Sequence, residues 1–330
     1  MKIAFFDTHR FDKDSFSAAN AAFNFEIDFL EPRLTETTAS LAKGHDVVCA
    51  FANDSLNRKT LEVLKSEGIK LIALRCAGYN CVDLEAAKEL SLPIVRVPAY
   101  SPHAVAEHAV ALLLTVTRQV HRAHARVREG NFSLDGLVGT ELHGKKVGVL
   151  GTGKIGSIFA QIMTGFGCEV LAFDLKPNPE LLAQKKTSYT TLDEIFKVCD
   201  IISLHLPLNP TTRHLIDANA ISKMKKGVIL LNTGRGGLID TKALITALKK
   251  GQIGSAGLDV YEEEEEIFFR DHSSEVLQDD VLARLMTFPN VLITAHQAFL
   301  TDTALRCIAE TTLQNISEFK NGLTLKNQIL

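Results

Sequence analysis

An apolar run, Val147-Gly148-Val149-Leu150, feeds a Gly-x-Gly-x-x-Gly turn made of Gly151, Gly153 and Gly156. The turn opens a helix-like segment from Ile155 to Phe166, and a second apolar run, Glu169 to Phe173, ends in Asp174. No other stretch constrains the chain so tightly, because strand, turn, helix, strand and carboxylate follow one another in the order of a dinucleotide-binding βαβ unit. Gly151 permits the tight turn, Gly153 lets backbone amides approach a diphosphate, and Gly156 lets helix and strand pack closely. The helix start at Lys154 and Ile155 offers unpaired N–H groups and a partial positive charge. Asp174, 18 residues after Gly156, is placed to accept hydrogen bonds from an adenosine ribose and to repel a 2′-phosphate. NAD is therefore expected over NADP, a preference that Lys176 softens slightly. A βαβ turn that uses glycine for geometry alone is the plainer alternative, and the full context argues against it.

The 330-residue length suggests about two domains. With 46% hydrophobic and 23% charged residues, the composition is that of an ordinary globular chain with real cores. A net charge of −3 gives no reason to expect nucleic acid or an anionic membrane as partner. Cys49, Cys76, Cys81, Cys168, Cys199 and Cys307 are scattered, without metal-ligand spacing, and read as reduced core residues of a cytoplasmic protein; no metal site is expected. Met1 to Asp7 reads as a first strand, and no apolar stretch approaches the roughly 20 residues that cross a bilayer.

The expected fold is α/β, with two doubly wound parallel-sheet domains, Rossmann-like and flavodoxin-like, and an active-site cleft between them. Residues 1–100 hold four strand-like runs (Ile3–Phe6, Val47–Ala50, Leu71–Arg75, Ile94–Arg96), with helical spacing at Leu56–Glu67 and Leu84–Leu90. Ser101-Pro102 starts a helix expected to continue to about Arg128. Its half from Ala104 to Val116 is apolar on nearly every face, so it needs cover on several sides, from the two domains or from another subunit. Its basic far end reads as a solvated helix terminus.

Further strands at Ile201–Leu204, Val228–Asn232, Gly257–Val260 and Val291–Thr294 complete a six-stranded sheet. The final helix, Thr301 to Lys320, has no sheet of its own nearby and is expected to return to the first domain. The domains are thus residues 1–100 with 298–330, for substrate, and 101–297, for NAD.

Three side chains that can act on a carbonyl acid fall at or beyond strand ends. Arg235, in the turn Asn232-Thr233-Gly234-Arg235-Gly236-Gly237, can grip a carboxylate with two parallel bonds; a surface arginine in a glycine loop is the bland alternative. His296 follows Val291 to Ala295. A lone histidine there is usually structural, but reducing a carbonyl requires a proton donor that cycles near neutral pH. A carboxylate beside it would favour the charged ring. The run Glu262 to Glu266 supplies five candidates, most simply a solvated face, and spacing does not choose among them. Asp259, at a strand end, is a separate candidate for a nicotinamide carboxamide.

Across its length the chain resembles the D-isomer-specific 2-hydroxyacid dehydrogenase family. The resemblance is carried by Leu74-Arg75-Cys76-Ala77-Gly78-Tyr79-Asn80, Val97-Pro98-Ala99-Tyr100, the Gly151 to Gly156 turn, Ser203-Leu204-His205-Leu206-Pro207-Leu208, Asn232 to Gly236, Leu258 to Glu262, and His296-Gln297-Ala298-Phe299-Leu300-Thr301. It implies that Arg235 binds the substrate carboxylate and carbonyl, that His296 is the acid/base, and that Glu264 is its partner. It also implies cofactor contacts at Leu206, Pro207, Thr212, Thr233, Gly234 and Asp259. Substrate contacts are implied at Gly78, Tyr79, Tyr100 and Phe299. Phe51 stands where some members carry tyrosine, which leaves an apolar wall suited to a small substrate such as pyruvate. A homodimer or homotetramer is the family's usual assembly. Members acting on bulkier 2-keto acids, and a dinucleotide-sensing binding protein, are the competing expectations.

Overall fold

The computed structural model describes residues 1–329, the side chain of Glu266 excepted; Leu330, the end of the expected tail, lies outside the described residues. The chain separates into two compact units, Met1–Ser101 with Leu300–Leu330, and Pro102–Phe299.

The first unit is built on a parallel sheet of β1 (Lys2–Phe5), β2 (Glu26–Phe29), β3 (Val47–Ala50), β4 (Leu71–Leu74) and β5 (Ile94–Val95), in the order β2-β1-β3-β4-β5. β3 and β4 are buried at every position, which is why they read as uninterrupted apolar runs. β2 is absent from the sequence reading. It is an edge strand of alternating Glu26-Ile27-Asp28-Phe29 with no fully buried residue, so it lacks that run. The helix Arg10–Asn20 is likewise unexpected, because it buries only Asp12 and Phe16. Helices at Arg58–Ser66 and Leu84–Glu89 begin on Asn57 and Asp83, whose side chains accept from Thr60 and Ala86 N–H groups. The last helix, Asp302–Lys320, is capped by Thr301 and packs in this unit against the Arg10–Asn20 helix and β4. Asn315 on it donates to the Arg96 carbonyl at 2.9 Å.

The second unit carries seven parallel strands: β6 (Lys146–Leu150), β7 (Glu169–Phe173), β8 (Thr187–Tyr189), β9 (Ile201–Leu204), β10 (Val228–Asn232), β11 (Ile253–Leu258) and β12 (Val291–Ile293). Their order is β12-β11-β10-β9-β6-β7-β8, so the six-stranded expectation is short by one. The missing strand, β8, is a three-residue Thr-Ser-Tyr edge too short and polar to show a period. β11 also begins and ends earlier than expected, which leaves Asp259 and Val260 beyond the strand, in the turn. The strand order reverses between β6 and β9, and the crevice at their C-terminal ends is where such sheets bind ligands.

The expected single helix from Pro102 to Arg128 is two. Pro102–Arg118 is followed by Gln119 in the left-handed region, φ 49°, and by Val120–Arg128, which buries nothing. The Thr117 carbonyl accepts from Thr140 N–H at 3.1 Å, an irregular partner at the point where the apolar face gives out. The first helix finds its cover within its own unit, on the helix Lys154–Gly165 and on β10, β11 and β12. Gly257 lets it sit close, since a Cβ there would lie 3.0 Å from Leu112 Cβ. Among the described residues no helix is long and apolar enough to cross a membrane.

Candidate active site

Asn57, Asp83, Asn178, Thr191, Asp217, Asp240, Asp279 and Thr301 each cap a helix with a side-chain oxygen. Gly153, the N-cap of Lys154–Gly165, does not. Its first-turn amides are left to a ligand, and a Cβ on Gly153 would meet nothing within 4 Å, so the space an anion needs is open. The other two glycines are shut in by the fold. Gly151 has φ +93°, and a Cβ on it would fall 2.4 Å from the His205 carbonyl oxygen; one on Gly156 would fall 1.9 Å from the Gly151 carbonyl oxygen. Behind them His205 is half-buried, with Nε2 2.9 Å from Ser203 Oγ and its ring 5.1 Å from that of Phe159. Burial pushes this imidazole down to about 4, so it stays neutral beneath the turn.

At the far end of the turn Asp174 accepts from Thr152 N–H at 2.6 Å, Thr152 Oγ1 at 3.2 Å and Lys176 N–H at 2.9 Å. Partial burial pushes this carboxyl up, but the amides of Lys176 and Thr152 outweigh it and hold it below the usual carboxylate range. It is an anion with accepting capacity left for ribose hydroxyls. Tyr189, on β8, donates to Thr152 Oγ1 at 2.8 Å and so steadies that carboxylate from behind. Sequence reasoning misses Tyr189, because its only signal is a lone aromatic in a polar edge strand.

Three further turns carry the polar chemistry. Asn232 ends β10 and holds the next turn from inside, donating to the Arg235 carbonyl at 2.8 Å and accepting from Gly234 N–H at 3.0 Å. Arg235 thus stands on a braced loop. Its Nη1 donates to the Gly234 carbonyl at 2.8 Å, and among the described residues it has no acidic partner. Thr233 Oγ1 beside it is buried without a hydrogen-bond partner, an orphan that a bound group would satisfy. Leu206, Pro207 and Thr212 lie in the loop after β9, pinned by Thr212 Oγ1 donating to the Pro207 carbonyl at 2.6 Å.

The glutamate run divides its labour. Glu262 pairs with His214 and accepts from Thr241 Oγ1 at 3.2 Å. Glu264 turns the other way: Oε1 lies 2.6 Å from His296 Nδ1, and Oε2 accepts from Tyr261 N–H at 2.9 Å. Glu263 and Glu265 are exposed, and the Glu266 side chain lies outside the described residues. The expectation of a mainly solvated face therefore fails at two positions. The carboxylate fixes Nδ1 as the donor, while His296 Nε2 makes no hydrogen bond among the described residues. The turns of Arg235 and Glu264 touch, since a Cβ on Gly236 would fall 2.0 Å from the Tyr261 carbonyl oxygen.

Asp259 is wholly buried. Oδ1 accepts from Thr294 Oγ1 at 2.5 Å and Gln297 N–H at 2.8 Å, and Oδ2 from Ala298 N–H at 2.8 Å. Burial pushes it up, but bonds from His108, Thr294 and Ala298 prevail and keep it ionised. One accepting position remains on Oδ2, behind closed walls. Phe299, next to Ala298 in sequence, is buried, 7% exposed.

In the first unit Gly78 and Tyr79 lie in the loop beyond β4, with Arg96 stacked 5.0 Å from the Tyr79 ring and Cys76 Sγ 3.2 Å from the Gly78 carbonyl. Tyr100 is half-buried near the unit's edge in sequence. Phe51 is 6% exposed, and its ring lies 4.7 Å from the Arg75 guanidinium, so most of it belongs to the core of its own unit.

The open glycine cradle, Asp174 and the orphaned Thr233 hydroxyl together fit a dinucleotide in the second unit. Comparison with known proteins agrees. Residues 110–298 match the D-isomer specific 2-hydroxyacid dehydrogenase, NAD binding domain. The chain is 50% identical over 330 residues to D-lactate dehydrogenase of Escherichia coli strain K12, covering 100% of each. The apo-structure of D-lactate dehydrogenase from Escherichia coli is similar with a TM-score of 0.92 at 48% identity, over 100% of both chains. The pyruvate reductase of Chlamydomonas reinhardtii is similar with a TM-score of 0.93 at 46% identity, over 99% of this chain and 98% of that one. The chain belongs to the D-isomer-specific 2-hydroxyacid dehydrogenase family and is an NAD-dependent oxidoreductase of that family.

Proposed function

We propose that the protein is a D-lactate dehydrogenase that reduces pyruvate to D-lactate. The observation that carries this reading is the His296–Glu264 couple at 2.6 Å, with Nε2 open, beside an Arg235 that has no acidic partner of its own among the described residues. The names of the relatives from Escherichia coli and Chlamydomonas reinhardtii support the choice of substrate.

In this reading Gly151, Gly153, Lys154, Ile155, Gly156 and Asp174 hold NAD, with Leu206, Pro207, Thr212, Thr233, Gly234, Arg235 and Asp259 nearer its reactive end. Bound there in its reduced form, NAD would supply the hydride that the carbonyl carbon takes up. Arg235 grips the substrate carboxylate and orients the carbonyl. The imidazolium of His296 delivers its Nε2 proton to the carbonyl oxygen as the alcohol forms, and Glu264 compensates the ring's charge and holds its tautomer. Gly78, Tyr79, Tyr100, Phe299 and Phe51 stay as the candidate substrate contacts that resemblance to the family implies.

The six cysteines are free, which supports a reducing cytoplasm. Self-association as a homodimer or homotetramer is supported by the exposed apolar residues Phe132, Leu134 and Val138.

The test is loss of NADH absorbance with pyruvate, 2-ketobutyrate, phenylpyruvate, hydroxypyruvate and glyoxylate in parallel, the product scored for chirality. Pyruvate is expected to turn over fastest and to yield the D-isomer. A bulkier acid turning over faster overturns the pyruvate assignment, and NADH binding without turnover of any acid overturns the enzyme reading.

A further inference from the structure

We propose that His108 is a positioning residue for the reaction, acting through Thr294 and Asp259 on the turn that carries His296; the inference rests on the acid/base role proposed for His296. His108 lies on the helix Pro102–Arg118, one turn before Leu112. The close approach of Leu112 to Gly257 on β11 seats that helix over the strand that leads into Asp259. His108 Nε2 is then 3.1 Å from Thr294 Oγ1 and 3.4 Å from Asp259 Oδ1.

The proton count gives this contact a direction. A hydroxyl has one proton to donate, and Thr294 commits it to Asp259 Oδ1. The contact between His108 and Thr294 is therefore donated by the imidazole, which places a proton on His108 Nε2. The chain of donors runs from His108 to Thr294 to the Asp259 carboxylate, which also collects the amides of Gln297 and Ala298. The Asp259 carbonyl in turn accepts from His296 N–H at 2.7 Å. Bonds to Asp259 thus hold three consecutive amides, those of His296, Gln297 and Ala298.

That clamp has work to do. His296 has φ +52°, a left-handed conformation that a side chain keeps only where its surroundings over-determine it. Holding it there aims the ring, with Nδ1 on Glu264 and Nε2 outward. His108 touches neither Glu264 nor His296; it locks the carboxylate that locks the turn. Positioning of this kind shows in turnover more than in dinucleotide affinity, because the glycine cradle and Asp174, which hold most of the dinucleotide in the proposed reading, are elsewhere in the unit and Asp259 itself is kept in the variant.

The experiment compares His108→Leu, which cannot donate, with His108→Gln, whose amide can. Turnover of pyruvate, the NADH dissociation constant by fluorescence, and the low-field proton signal of His296 Nδ1–H are read for each. His108→Leu is expected to lower kcat roughly tenfold, a moderate cost for a misplaced catalytic group. Its NADH affinity should stay within about twofold, and the His296 signal should shift or broaden. His108→Gln should restore both turnover and signal. If His108→Leu does not fold, Thr294→Val breaks the same chain one link later and is read in the same way. Wild-type turnover in the non-donating variant, an unmoved His296 signal, or equal loss in the leucine and glutamine variants overturns the proposal. His296→Gln separates the two readings: full activity there overturns the acid/base role itself, whereas an inactive variant beside an unaffected His108→Leu overturns only the positioning role.

Discussion

The two units answer the same topological problem in opposite ways. Each contains a parallel strand, β1 or β6, that runs into a turn and a helix. After β1 the turn is closed with side chains. Asp7, at φ 48°, lies 3.6 Å from Arg33, and Asp12 on the following helix accepts from Arg75 at 3.3 Å. Arg75 is 1% exposed, donates to the Asp7 carbonyl at 2.7 Å and stands 4.4 Å from the Phe5 ring. After β6 the turn is glycine, its helix start uncapped and its surroundings open.

Two arginines sharpen the contrast. Arg75 follows β4 and is spent on the protein, whereas Arg235 follows β10 and has only the Gly234 carbonyl. A cation paired with the protein's own carboxylate, as Arg75 is with Asp12 although its Nη1 is left without a hydrogen bond, makes a scaffold; a cation with no acidic partner at a strand end makes a site.

Breaking the closed side first should have the largest effect. Arg75→Met leaves buried carboxylates without their cation and is expected to cost about 3–5 kcal/mol of stability in urea unfolding. Arg235→Gln should do the reverse. Stability should stay within about 0.5 kcal/mol, while kcat/KM for pyruvate falls roughly 10²–10³-fold, the scale of losing one preorganised electrostatic contact. Unchanged kinetics in that variant would remove Arg235 from the site.

The third test titrates the closed side. Burial pushes Asp54 up to about 6, against Arg75 and the amides of Phe51 and Leu34, which oppose it. A carboxyl raised above its unfolded value contributes stability that is fully present below about pH 4 and lost as pH rises through about 6. The stability of wild type relative to Asp54→Asn should therefore grow as pH falls from 7 to 4, by at most about 3 kcal/mol. A difference that shrinks over that window would contradict the assignment. The smallest effect belongs to the open side's rim. Asp174→Ala should weaken NADH roughly tenfold, about 1.4 kcal/mol, and narrow its advantage over NADPH in fluorescence titrations.

Local pattern carried much of this protein. Buried parallel strands announce themselves as apolar runs, and a phosphate-binding turn requires glycines at fixed intervals, so β3, β4, β6 and the Gly151–Gly156 cradle were legible before any folding. Arg235 and His296 stood out because each follows an apolar strand-like run downstream of the glycine turn, Arg235 beyond the buried β10 and His296 beyond the half-buried edge strand β12. Edge strands β2 and β8 were not legible, since pairing with one neighbour demands no continuous apolar run. The break at Gln119 was hidden for a related reason: helical spacing persists past the point where packing ends.

What tertiary structure alone decided is which polar groups meet. Five adjacent glutamates are equivalent as a string; resemblance to the family named Glu264, and the fold turns it toward His296 while sending Glu262 to His214 and Thr241. Asp259, a candidate ligand contact by sequence, is also the buried acceptor for Thr294, Gln297 and Ala298. His108, one polar residue in an apolar helix, acquired a role only when Gly257 let that helix come close. Hydrogen bonds act over about 3 Å between groups far apart in the chain, so sequence can nominate the participants, but only packing selects the pairs.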